Sequence, residues 1–307
     1  MIQSFAELTL ACIFWAWGFI ATKLLVSSLS PGEITLVRFF LSFVIAIVII
    51  APNFNRKYLS SSLLPGSLLA ATIIAQIESL KHTEATKVAF ITGLYVLVVP
   101  LLNVIIGNRF PLTLNYILSL ILAMIGTILL NINTQFSWGW GLGETLALIS
   151  CFAAAAHIVA IERVVSNNQS TMQLNAWSFF WVSLIAGIWF IFEIQSNPSQ
   201  TTFFFTSIKA NLVHLKDDSA LPTHLIRNLG LLLSLVIFST IIAFALQIRN
   251  QKKLHSNLAS IIFLLESPMT LFLAWFVLGE QFRPLQLIGM SLIFFGCLLS
   301  LSISKRN

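Results

Sequence analysis

Charge is what this chain has least of. Only 9% of its 307 residues are Asp, Glu, Lys or Arg, against roughly a quarter in an ordinary soluble domain. That deficit excludes a water-soluble surface, and a mean hydropathy of +0.91 agrees. Cysteine is scarce as well. Cys12, Cys151 and Cys297 all lie inside apolar runs; an odd number without metal-ligand spacing is neither a disulfide framework nor a metal site. The Gly139-Trp140-Gly141-Leu142-Gly143 stretch lacks a following Lys-Ser/Thr, so it is not read as a phosphate loop. A hydrolase elbow is also absent. The net charge of +6 would suggest nucleic acid in a soluble protein. Here most basic residues sit in short loops between apolar runs, so membrane topology explains them and no nucleic-acid partner is expected.

Long hydrophobic runs are what the chain has instead. A helix needs about 20 apolar residues to cross a bilayer core. Runs bounded by polar, charged or proline breaks fall at 5–26, 32–51, 62–79, 85–106, 112–131, 142–162, 173–193, 228–248, 257–278 and 285–303. The expected fold class is therefore an all-α membrane protein with ten transmembrane helices. Residues 1–7 contain no Lys or Arg and the first run reaches Val26, so it is read as a retained helix rather than a signal peptide. One connection, 194–227, is long and polar. Phe203-Phe204-Phe205 within it reads either as a short interfacial helix dipping into headgroups or as a tolerated insertion.

Orientation follows from Lys and Arg in loops. With the N-terminus cytoplasmic, the inner loops hold Arg56, Lys57, Arg109, Arg163, Arg249, Lys252, Lys253, Lys305 and Arg306, and the outer loops hold Lys81, Lys87, Lys209, Lys216, Arg227 and Arg283. The bias places both termini in the cytoplasm.

The chain also repeats itself. Gln76 to Leu130 and Gln247 to Ser300 both open on Gln-Ile and pass a Lys/His stretch into an apolar span. Each span ends in Gly-x-x-Phe before a proline, at Gly107 to Pro111 and Gly279 to Pro284. The following helices hold small residues seven apart, Ser119/Gly126 and Gly289/Gly296. Two halves of five helices result, 1–131 and 142–303. Five is odd, so the second half enters from the opposite side, an inverted-repeat arrangement that puts a binding site near the midplane.

At these residues the sequence resembles the EamA-type transporters of the drug/metabolite transporter superfamily. One matching segment is Gln76 to Gly107, especially Ala89 to Leu101. The other is Leu264 to Leu299, where Glu266-Ser267-Pro268, then Ala274-Trp275 and Gly279-Glu280, resemble the family's Glu-Pro and Gly-Glu signatures. Ser267 separates the usual Glu and Pro, and Asn108 stands where the family often has Glu. The resemblance implies two inverted five-helix repeats and cytoplasmic termini. It further implies movement of amino acids, nucleosides or other small metabolites without ATP or a prosthetic group.

Candidate residues are the polar and aromatic groups inside the spans, where a lipid-facing charge costs about 3 kcal/mol. Glu266 is the one formal charge between Leu258 and Leu278. It either faces the interior and holds a cationic group or a proton, or stitches helices together beside Pro268, which frees the Leu264 carbonyl. Arg38 and Lys23 either snorkel or pair, Lys23 with Glu33, or meet a substrate carboxylate at the outer mouth; Lys87 and Glu84 read the same way. Trp15, Trp17 and Tyr95 sit at mid-depth, where they line a cavity or simply pack. Gln76, Asn103, His157 and Gln247 either orient a polar substrate or bond another helix, at about 0.6 kcal/mol each. His157 lies five residues before Glu162, a possible proton relay.

The combined reading is a secondary transporter of the bacterial inner (cytoplasmic) membrane. Its partners are a small-molecule substrate, the lipid bilayer and, as coupling ion, protons. Export is the default direction and uptake or exchange the alternative. An intramembrane enzyme built on Glu266 and His157, or a non-transporting scaffold, are the readings from other classes.

Overall fold

The structure, a computed structural model, describes residues 2–50, 55–108, 113–131, 141–165, 170–196 and 223–303. Among these there is no strand. The long helical segments are α1 (Ile2–Leu25), α2 (Pro31–Ile50), α3 (Leu63–His82), α4 (Ala85–Ile105), α5 (Leu114–Asn131), α6 (Leu142–Val165), α7 (Thr171–Ser196), α8 (Leu225–Gln251), α9 (Ser256–Leu278) and α10 (Pro284–Ile303). Among the described residues, nine helices are long and apolar enough to cross a membrane, and Leu114–Leu130 is a shorter apolar helix. Helix α3 runs on to His82, past the expected end at 79, and α7 to Ser196. Most of the 194–227 connection, with its Phe203 to Phe205 stretch, lies outside the described residues, as do Lys305 and Arg306 from the charge count.

Hydrogen bonds between helix ends give the directions. At one end of the bundle Asn55 donates from its backbone to Gln173 (2.9 Å), Asn250 donates to Glu7 (2.8 Å), and the Ser256 amide donates to Glu162 (3.1 Å). At the other end Ser79 donates to the Gly143 carbonyl (2.7 Å), the Ala85 amide to Glu280 (3.2 Å), and Gln286 to the Leu130 carbonyl (2.7 Å). Successive long helices thus alternate in direction.

Polarity is turned inside out relative to a soluble protein. Val48 and Ile49 of α2, Val104 and Ile105 of α4, Phe192 of α7, Phe276 of α9 and Phe295 of α10 are all exposed, while Arg38, Asn103, His157 and Gln247 are buried. A surface of this kind suits a hydrocarbon solvent, and the buried polar groups suit a helical interior that must satisfy them. The main helix pairings are α5 with α10, α3 with α6, α2 with α7, α1 with α8 and α9, and α4 with α6.

Small residues set the closest approach. A Cβ on Gly126 would lie 2.6 Å from the Gly289 carbonyl oxygen, and one on Gly289 would lie 2.6 Å from that of Gly126. Gly296 meets the Ser119 carbonyl oxygen in the same way, at 2.9 Å. Backbones this close leave no room for a side chain, the expected use of small residues between membrane helices.

Two helices are interrupted at mid-depth. In α4 the α-helical bonding stops between Gly93 and Tyr95. In α9 it stops at Leu264-Leu265, where the Leu264 and Leu265 amides bond only three residues back. Pro268 lacks the amide that would have bonded the Leu264 carbonyl. The Ser267 amide takes that carbonyl instead, at 3.1 Å, and the turn so formed delivers Glu266 at the start of the next helical piece. The two interruptions touch: a Cβ on Gly93 would lie 3.2 Å from both Leu264 Cδ2 and Ser267 Oγ.

Candidate functional site

A cavity of about 80 Å³ lies beside these interruptions. Its lining comes from α1 (Trp15), α3 (Leu69, Thr72, Ile73, Gln76), α4 (Thr92, Tyr95), α6 (Ala154, His157, Ile158), α8 (Phe244, Gln247) and α9 (Phe263, Glu266). One wall is aromatic. Trp15 stands edge-on to Phe263 (centroids 5.3 Å apart) and tilted against Phe244 (5.5 Å), and His157 meets Phe244 edge-on at 6.3 Å.

The other component is polar. His157 Nδ1 lies 2.9 Å from the Pro65 carbonyl oxygen. A carbonyl only accepts, so Nδ1 carries the proton, and in the neutral imidazole Nε2 is an acceptor. Nε2 is buried with no hydrogen-bond partner among the described residues, and so are Gln247 Oε1, Thr92 Oγ1 and Trp15 Nε1. The Gln247 amide is oriented by its own Nε2, which donates to Gln251 Oε1 (2.9 Å). Glu266 lines the same space without an ion pair among the described residues. Buried polar atoms without partners are rare in folded proteins, and these four belong to side chains that line the cavity.

Of the residues singled out by sequence, Trp15, Gln76, Tyr95, His157, Gln247 and Glu266 come together in this cavity. Trp17, Arg38 and Asn103 do not line it. Trp17 donates to Ser234 of α8 (2.9 Å). Arg38 neither snorkels nor stands at a mouth; it is 4% exposed. Residues Leu235–Ile242 of α8 form a widened π-helical stretch, in which Thr240 bonds back to the Leu235 carbonyl. That stretch turns two hydroxyls toward α2: Arg38 Nε donates to Thr240 Oγ1 (2.6 Å) and Nη2 to Ser239 Oγ (3.0 Å). Asn103 donates to Ser256 Oγ (2.8 Å) and Asn257 Oδ1 (2.6 Å), tying the end of α4 to the start of α9.

Other pairings differ from the sequence reading. Lys23 does not pair with Glu33; its ammonium donates to the carbonyls of Leu80 (2.6 Å) and Thr83 (2.7 Å), the end of α3 being closer than the start of α2. Lys87 takes the pairing alternative, with Glu144 at 2.5 Å. His157 and Glu162 form no relay: Glu162 turns to the Ser256 amide and to Asn108, one turn below the cavity. Thr72, Thr92, Phe244 and Phe263 were not singled out. Thr and Phe are ordinary membrane-helix residues, and only the fold distinguishes these four. Among the described residues, no three His, Cys, Asp or Glu side chains gather as a metal site.

Fold and site define a multi-pass helical membrane protein with a largely apolar cavity among its helices, lined also by Glu266, His157, Gln76 and Gln247. The chain belongs to the EamA-like transporter family, whose pattern matches residues 7–132 and 141–302. It is 24% identical over 291 residues to an "Uncharacterized transporter" of Archaeoglobus fulgidus, covering 94% of this chain and 83% of that one. A solved crystal structure of a protein shares the fold, with a TM-score of 0.71 at 12% identity over 100% of this chain and 99% of the other. The family and the relative's name point to a membrane transporter rather than an enzyme.

Proposed function

We propose that the protein is a secondary transporter that moves a small metabolite across the cytoplasmic membrane by alternating access, with export the default direction. The observation that carries this reading is the cavity: six helices, three from each half of the chain, converge on one space lined by Glu266 and by side chains with unpartnered polar atoms. The reading takes the fold as ten crossings in two inverted repeats, 1–131 and 142–303, with both termini cytoplasmic. The contacts support it. Shifting α5 contacts by 170 residues turns the Gly126–Gly289 approach into the Gly296–Ser119 approach, as a two-fold axis in the membrane plane requires. Gln76 and Gln247, equivalent in the repeat, line one cavity. Gly107 and Gly279, also equivalent, both end their helices at positive φ, 75° and 71°.

Alternating access needs parts that yield. The interruptions of α4 and α9 cross at the supposed axis, and each lacks regular helical bonds. Rocking of the halves about that crossing would open the cavity to one side and then the other. Glu266 is proposed to bind substrate or a coupling proton there; it has no acidic counterpart in the first half, so its role is not shared by symmetry. The test is flux. In liposomes carrying the pure protein and no ATP, a labelled amine, amino acid or nucleoside is expected to enter or leave, and Glu266→Gln is expected to slow that flux and flatten its dependence on pH. A folded protein that passes no member of the panel contradicts the reading.

A further inference from the structure

We infer that the solute recognised in this cavity is a small organic cation, an ammonium group on a short apolar body, and not an anion or a zwitterion. The inference rests on the transporter reading for its setting and goes further by naming the charge. None of the residues lining the cavity is Lys or Arg. The buried cation Arg38 is engaged by Thr240 and Ser239 of α8. A carboxylate or phosphate entering the cavity would find no charge to replace its water, and an unpaired buried anion is costly.

The acceptors tell the same story from the other side. An ammonium has three N–H donors and no acceptor. Glu266 lines the cavity, and the side chains of His157 and Gln247, which line it too, each keep an acceptor without a partner among the described residues. Glu266 is the one acidic side chain in that lining, so it supplies the charge that an ammonium would pair with. The aromatic wall adds to the match: Trp15, Phe244, Phe263 and Tyr95 line the same space, and π faces attract cations. About 80 Å³ is near half of the roughly 150 Å³ that holds a benzene molecule in an engineered apolar cavity. A body of a few heavy atoms fills that space, which is partly open.

The experiment is calorimetric titration of the full-length protein in detergent with four compounds of similar size: propylammonium, propionate, propionamide and alanine. Saturable binding of propylammonium is expected, with the other three weaker by about tenfold or more. Glu266→Gln is expected to abolish the preference, and Glu266→Asp, which keeps the charge, to retain it; unchanged elution and melting show that both variants fold. Tight binding of propionamide or alanine overturns the inference, as does a Glu266→Gln protein that binds the cation normally. Failure of the wider reading looks different. Propylammonium that binds but never crosses a liposome membrane sinks transport while leaving the charge assignment standing. Flux confined to neutral or anionic solutes does the reverse.

Discussion

At His255, between α8 and α9, one imidazole does two jobs. Its Nδ1 accepts the Asn257 amide at 3.2 Å and so caps α9, while its other face lies 3.6 Å from Glu162. Burial holds its pKa below the ordinary imidazole value, against the opposing pull of Glu162. The folded protein therefore binds fewer protons here than the unfolded chain does. Stability is full above the unfolded value of about 6.5 and is lost as pH falls through it toward the lowered folded value. Melting in detergent should drop between about pH 7.5 and about pH 5.5. His255→Asn keeps a capping oxygen without a titrating ring and should show a smaller drop. Equal drops would assign the effect elsewhere. Glu280 has the opposite sign. Burial raises its carboxyl pKa, although it accepts from the Thr86 hydroxyl and the Ala85 amide, so its ionisation costs stability as pH rises.

Individual residues were only partly legible in the sequence. Mid-span Glu266, Gln76, Gln247 and His157 stand out because a polar group in an apolar run needs a reason, and they do converge. Arg38 stood out for the same reason yet is committed to hydroxyls on α8. What decides between these fates is which helix faces which, and hydropathy carries no such information. The widened turn that aims Ser239 and Thr240 at Arg38 has no proline or glycine to announce it: Leu235 to Ile242 reads as an ordinary apolar run.

Elements were more legible than residues, because a membrane helix must satisfy its backbone internally and so shows itself as a long apolar run. The spacing of Ser119/Gly126 and Gly289/Gly296 marks small-residue faces on α5 and α10, and these two helices pack against each other. What spacing cannot give is how tight the contact is. With a Gly126 Cβ placed 2.6 Å from the Gly289 carbonyl oxygen and 2.8 Å from Ile293 Cγ1, Gly126→Ala must push two backbones apart. It should lower stability by about 1–3 kcal/mol, measured by thermal or denaturant unfolding in micelles. Gly230 of α8 has nothing within 4 Å of its Cβ position, and Gly230→Ala should leave stability unchanged or raise it by up to about 1 kcal/mol. Similar effects at the two sites would mean that α5 and α10 are not in backbone contact.

For the whole molecule, both ends of the bundle are tied by specific bonds between α4 and α9. At one end Asn103 holds Ser256 and Asn257; at the other Glu280 holds the start of α4. These ties lie on either side of the crossing at Gly93 and Leu264, so the proposed alternating access would have to break one set and then the other. The ends can be locked separately. The three native cysteines, Cys12, Cys151 and Cys297, are buried, which leaves introduced thiols as the reactive ones. The most direct measurement is liposome flux of a transported solute by two double variants, Asn103→Cys with Ser256→Cys and Thr86→Cys with Glu280→Cys, before and after a short thiol crosslinker. Crosslinking either end should stop flux in a variant that was active beforehand, and a reducible crosslinker should restore it on reduction. Flux that continues with either end crosslinked would contradict alternating access through this cavity.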